Sequence, residues 1–128
     1  MKDLQHFHST VNEFLALVNL PAERFEGSQD HLNIDVEGRF TVRIGMDASG
    51  ILAMQGDWTD GLLPAGLHDD WLMANQICPG ALQPVIALDD SGNPTCWLRL
   101  PQDMDAPDEL LEAFDLLLGR MDQLTPGE

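Results

Sequence analysis

Basic side chains are scarce in this sequence and tyrosine is missing altogether. Its 128 residues hold 22 aspartates and glutamates but only 6 lysines and arginines, a formal charge of −16. That imbalance repels nucleic acid backbones and anionic membranes, and it favours solubility, a basic partner, or both. Lys2 is the only lysine, no Lys-Ser or Lys-Thr pair exists, and Gly56, Gly61 and Gly66 are too widely spaced for a phosphate-binding loop. The lack of tyrosine removes one common acid, and no serine lies in a nucleophile elbow. Cysteine occurs twice, as Cys78 and Cys96, without close spacing, which suits reduced thiols in the cytoplasm. No apolar run approaches the roughly 18 residues of a spanning helix, and Met1 to His6 lacks the pattern of a signal peptide. A cytoplasmic protein without membrane insertion is expected.

The remaining polar groups form no reactive constellation. Asp69-Asp70 and Asp89-Asp90 are sequence neighbours whose carboxylates need not converge, and His68 would have to join the first pair through the fold. His6 and His8, two apart on a helix, point in different directions. Neither cysteine has the companions of a zinc site, and Asp89 to Asn93 lacks the alternating oxygen ligands and distal glutamate of a calcium loop. No catalytic, cofactor-binding or metal-ligating residue is expected, and the chain does not read as an enzyme. A small enzyme built on Asp69, Asp70 and His68 is the weaker alternative.

What is present is pattern. Leu4, Phe7, Val11, Phe14, Leu15 and Val18 recur at helical spacing, and Pro21 ends that run. Leu32 to Val36 and Phe40 to Met46 alternate as strands around Glu37-Gly38, and Ile51 to Gln55 reads as a third after a turn. Gly56 to Gly66 is rich in breakers; Leu67 to Asn75 suits a short helix. Leu82 to Leu88 and Thr95 to Leu100 form a hairpin, and a last helix follows with Asp105 as its cap, Pro107 in its first turn, Asp108 and Glu109 at its positive end and an apolar face from Leu110 to Leu124. The class is α+β: one two-layer domain spanning 1–128, core about 4–124, with the order α-β-β-β-α-β-β-α and an antiparallel sheet. One layer of helices leaves the other sheet face and the outer strands to water or a partner. Trp71 and Trp97 suit such an interface.

Element order and several short stretches resemble the class I type III secretion chaperones, dimeric bacterial proteins that hold effectors before export. Leu17-Val18-Asn19-Leu20-Pro21 stands where that family has a Leu-Gly-Leu-Pro type stretch, with the glycine missing here. Leu32 to Gly38 matches its strand entering a Gly-containing turn, and Trp71-Leu72-Met73-Ala74-Asn75 its helix running into Ala-Asn. Ile86-Ala87-Leu88-Asp89 and Cys96 to Pro101 match strands ending in Leu-Asp and Leu-Pro. The resemblance implies a cytoplasmic homodimer that uses no ATP or other cofactor and binds the N-terminal segment of a secreted effector, keeping it soluble and export-competent. It places Phe7, Val11, Leu32, Ile34, Val42 and Leu52 near the client groove, some of them serving the core instead. Trp71, Leu72, Val85 and Trp97 fall in the elements expected to form the dimer contact. A regulatory adaptor or anti-activator of the same fold is the alternative client relationship.

Overall fold

The computed structural model describes residues 3–46, 52–59, 82–88, 90, 93–101 and 106–124. Helix α1 spans Leu4–Leu17 and its start is set by Asp3, whose carboxylate accepts from the His6 amide at 2.8 Å. The end is set before Pro21. Asn19 adopts φ 61, the Asn19 amide donates to Ala16 O at 3.2 Å and the Leu20 amide to Leu15 O at 2.9 Å. This paired closure needs a left-handed residue just past the helix, where glycine is favoured and asparagine is the next choice. Asn19 therefore does the work of the glycine missing from the Leu-Gly-Leu-Pro pattern.

The chain from Asn19 to Asp30 is clipped back onto α1. Asn12 exchanges two hydrogen bonds with the Glu23 backbone, at 2.8 and 3.2 Å, and His8 Nε2 lies 2.6 Å from Gln29 O. The His8 ring stacks on Phe25 with centroids 4.2 Å apart. Strands β1 (His31–Val36) and β2 (Phe40–Met46) follow, joined by a turn in which Glu37 and Gly38 have φ 56 and 72. Two consecutive positive φ values match the right-handed twist of the paired strands.

Strand β3 covers Leu52–Trp58, β4 Val85–Leu88 and β5 Pro94–Arg99. The antiparallel order is β1-β2-β3-β5-β4. The strand β3 runs three residues beyond the expected Gln55, because Gly56 pairs with Val42 and Cys96 instead of breaking the ladder. Trp58 is buried at its end, edge-on to its partner Phe40 at 6.5 Å. Helix α2, Pro107–Leu124, carries Asp108 and Glu109 in its first turn. The expected helix over Leu67 to Asn75 lies outside the described residues.

Both helices cover the same face of the sheet. Phe7, Val11, Phe14 and Leu15 from α1 and Leu110, Ala113, Phe114, Leu117 and Met121 from α2 close over the inward rows. Phe14 meets Phe114 edge-on at 5.3 Å. The inward rows are Leu32, Ile44, Met54 and Leu98, then Ile34, Val42, Gly56, Cys96 and Ile86. Arg39 pins the far end of α2 to the hairpin by pairing with Asp122, and its guanidinium lies 4.8 Å from the Phe40 ring centre. The described residues thus form the α+β two-layer arrangement expected from periodicity.

Candidate functional site

The sheet face that neither described helix covers is the surface on which a partner can sit. Alternation sends the residues between the core positions outward. One row, in spatial order from β1 to β4, is Asn33, Arg43, Gln55, Trp97 and Val85. A second is His31, Gly45, Ala53 and Arg99, and a third is Asp35, Thr41, Asp57, Thr95 and Ala87. Trp97 is 38% exposed although it is apolar and central to its strand. Its register partner Val85 is half-buried, and Leu88 at the end of β4 is 55% exposed. Trp97 and Val85 place an apolar pair on the open face at the β5–β4 side, while Leu88, in phase with the inward Ile86, is exposed at the sheet edge.

Towards β1 the same face changes character. An open depression of about 280 Å3 is lined by Asp30, His31, Arg43, Gly45, Met46, Ala53 and Gln55. Its floor is low because glycine and alanine are register partners there. The Asp30 carboxylate is held below its usual range, chiefly by the hydrogen bond from His31 Nδ1 at 3.0 Å. Arg43 adds a smaller attraction in the same direction.

The six side chains expected near a client groove all belong to the core. Phe7, Val11 and Val42 have no accessible surface, and Leu32, Ile34 and Leu52 are buried as well. In the single chain these side chains therefore serve the core. The reason is that both helices lie on one face, so a single alternating apolar set is enough to fill the interior, and Leu32, Ile34, Val42 and Leu52 belong to that set. Of the four residues expected at a dimer contact, Val85 and Trp97 are neighbours on the open face; Trp71 and Leu72 lie outside the described residues. Sequence reasoning did not pick out Arg43, Gly45, Ala53 or Leu88. The outward phase of β2 and β3 would have found the first three.

Reactive chemistry has little foothold among the described residues. No three His, Cys, Asp or Glu side chains converge there as metal ligands, and His68, Asp69 and Asp70 lie outside them. No helix there is long and apolar enough to cross a membrane. Cys96 is buried in the core, and burial pushes its thiol from 9.0 up to about 12, an effect that Arg120 only reduces. A thiol held neutral is a poor nucleophile.

That shift carries a stability signature. Above pH 9 the unfolded chain releases the thiol proton while the native chain retains it until about pH 12, so stability falls with rising pH across that window. In a Cys78→Ser background, urea unfolding should weaken between pH 8 and pH 10 by up to about 1.4 kcal/mol per unit above the unfolded pKa. Adding Cys96→Ser should remove that slope. An unchanged slope would assign it to other groups.

No protein-family model matches the chain, and no curated protein sequence matches it. Solved structures do match. One is a chain of the HopA1–SchA chaperone–effector complex, with TM-score 0.75 and 16% identity over 97% of this chain and 98% of that one. The chain has the type III secretion chaperone fold. The Yersinia pestis type III secretion chaperone SycH, solved in complex with a stable fragment of YscM2, aligns with TM-score 0.72 and 18% identity, covering 92% and 98%. The ExoT–SpcS complex of Pseudomonas aeruginosa gives 0.74 and 17%, covering 97% and 99%. Identity this low with coverage this complete means that the chaperone fold is kept by the pattern of core and turn positions and not by particular side chains.

Proposed function

We propose that this chain is a type III secretion chaperone. As a homodimer in the bacterial cytoplasm, it would hold the N-terminal segment of a secreted effector without nucleotide, keeping it soluble and fit for export. The observation that carries this reading is the near end-to-end likeness to chains of chaperone–effector complexes. The surface supports it: Val85 and Trp97 leave apolar area open on a chain whose described residues already close their own core. Among the described residues β1 and β4 are the sheet edges, which suits addition of an extended client strand. No catalysis is part of this reading.

The client is identified by purification from the native bacterium and mass spectrometry. Co-expression should then convert it from aggregated to soluble, and deletion of the chaperone gene should abolish its export. A client that stays soluble and is exported without the chaperone would overturn the reading. The dimer is tested separately by light scattering, which should give about twice 14.2 kDa. Trp97→Glu should give the monomer mass with the fold intact, because Trp97 already faces solvent in the single chain. A dimer that survives that change would remove the β5–β4 pair from the interface.

A further inference from the structure

The net charge of −16 suggests a basic partner, but close to a surface the local groups set the field, since charges more than about 8 Å away are screened at physiological salt. Two of the 6 basic side chains, Arg43 and Arg99, are exposed on the open sheet face. The cross-strand neighbours of Arg43 are Asn33 and Gln55, and Arg99 pairs with Ala53. Neither guanidinium makes an ion pair among the described residues, although the Asp30 carboxylate, which also lines the depression and is held by His31, attracts Arg43 at longer range. Asp35 and Asp57 stand one register step away from Arg43, on the side opposite Arg99. The Gly45–Ala53 depression lies between the two arginines.

We propose that this depression takes an apolar side chain of a partner polypeptide whose flanking carboxylates pair with Arg43 and Arg99. Where that partner is the effector, the proposal rests on the chaperone reading. Strand spacing puts the two arginine Cα atoms roughly 12 Å apart on a diagonal, a distance spanned by acidic residues four apart in an extended segment. The residue midway then lies over β3 between Ala53 and Gln55, both of which line the hollow. A basic segment would bring its cations against two guanidinium groups. A second copy docked by two-fold symmetry over this spot would set the arginine-bearing patch against itself.

The test uses 15N-labelled protein in 0.15 M salt and three capped synthetic peptides centred on Glu-Ala-Leu-Ala-Glu, Gln-Ala-Leu-Ala-Gln and Lys-Ala-Leu-Ala-Lys. The first should shift the amides of Gly45, Ala53 and Gln55 and bind about tenfold more tightly than the second, the sum of two exposed ion pairs. The third should leave those amides unmoved. Arg43→Gln with Arg99→Gln should erase the preference for glutamate, and Gly45→Leu should block the glutamine and glutamate peptides alike while the melting temperature holds. Equal binding of glutamate and lysine peptides, or a glutamate preference that persists in the double arginine variant, would overturn the proposal. Both outcomes leave effector rescue and export unaffected, so the two readings fail independently.

Discussion

Val42→Asp should abolish cooperative folding, while Thr41→Lys one residue away should melt within about 3 °C of the parent. Val42 has no accessible surface and lies mid-strand on β2, inside the sheet, paired with Ile34 on one side and Gly56 on the other. A carboxylate there loses its hydration with no partner, at an effective cost of several kcal/mol, against a total stability of about 5–15 kcal/mol for a domain. Protonation relieves the charge but leaves an unsatisfied polar group in the same place. Thr41 is exposed, and its cross-strand partners are Asp35 and Asp57, so a lysine gains two opposite charges. Circular dichroism with thermal melts checks both variants. A folded Val42→Asp protein would mean that the inward face of β2 is not closed by the helices.

The same contrast shows how far the sequence could be read. A period of two divides each strand into two faces, and it placed Leu32, Ile34, Val42 and Leu52 together correctly. It does not say which face is dry. That depends on where α1 and α2 pack, and their apolar stripes are long enough to cover one complete face, as Phe7, Phe14, Leu110 and Leu117 do. The readable signals on the wet face were the exceptions to alternation: Trp97 and Val85 are apolar where solvent-facing residues are expected. Arg43, Gly45 and Ala53 carry no such exception, since small and charged residues are ordinary on a wet face. Their meaning arises only from register, which brings together strands that are up to 56 positions apart, as between Arg43 and Arg99.

Turn chemistry was legible in kind and misjudged in detail. Pro21 marks the end of the α1 pattern, yet the closure belongs to Asn19 and the amide bonds of Asn19 and Leu20. Gly56 looked like the first of several breakers, because a glycine followed by Asp57, Asp60 and Gly61 reads as a loop. Its actual role is close packing between a strand and a helix, which needs the absence of a side chain and not a special φ.

Gly56→Leu should therefore be among the most damaging changes that add no charge. A Cβ built at Gly56 overlaps Met121 Sδ, approaches Met121 Cε to 3.0 Å and lies 3.5 Å from Leu117 Cδ2. Alanine is the mild case, since a methionine side chain can yield to a single methyl group. Leucine inserts a branched side chain between β3 and α2, and the helix must lift. Lifting α2 loosens Leu110, Ala113, Phe114, Leu117 and Met121 together, because all five are buried on its sheet-facing side. Overpacking of this kind costs about 1–3 kcal/mol, and the shared helix contact puts the expectation at the upper end, a fall of about 10 °C in Tm. Met121→Ala alone should cost about 2–3 kcal/mol by leaving a cavity at the same place. Combined, the two changes exchange volume across one contact, so the double variant should be more stable than Gly56→Leu alone, a strongly non-additive cycle. Urea unfolding of the four proteins measures it. Simple addition of the two losses would show that Met121 and Gly56 do not share the contact that holds α2 on the sheet, and the position of the helix over the second inward row would have to be redrawn.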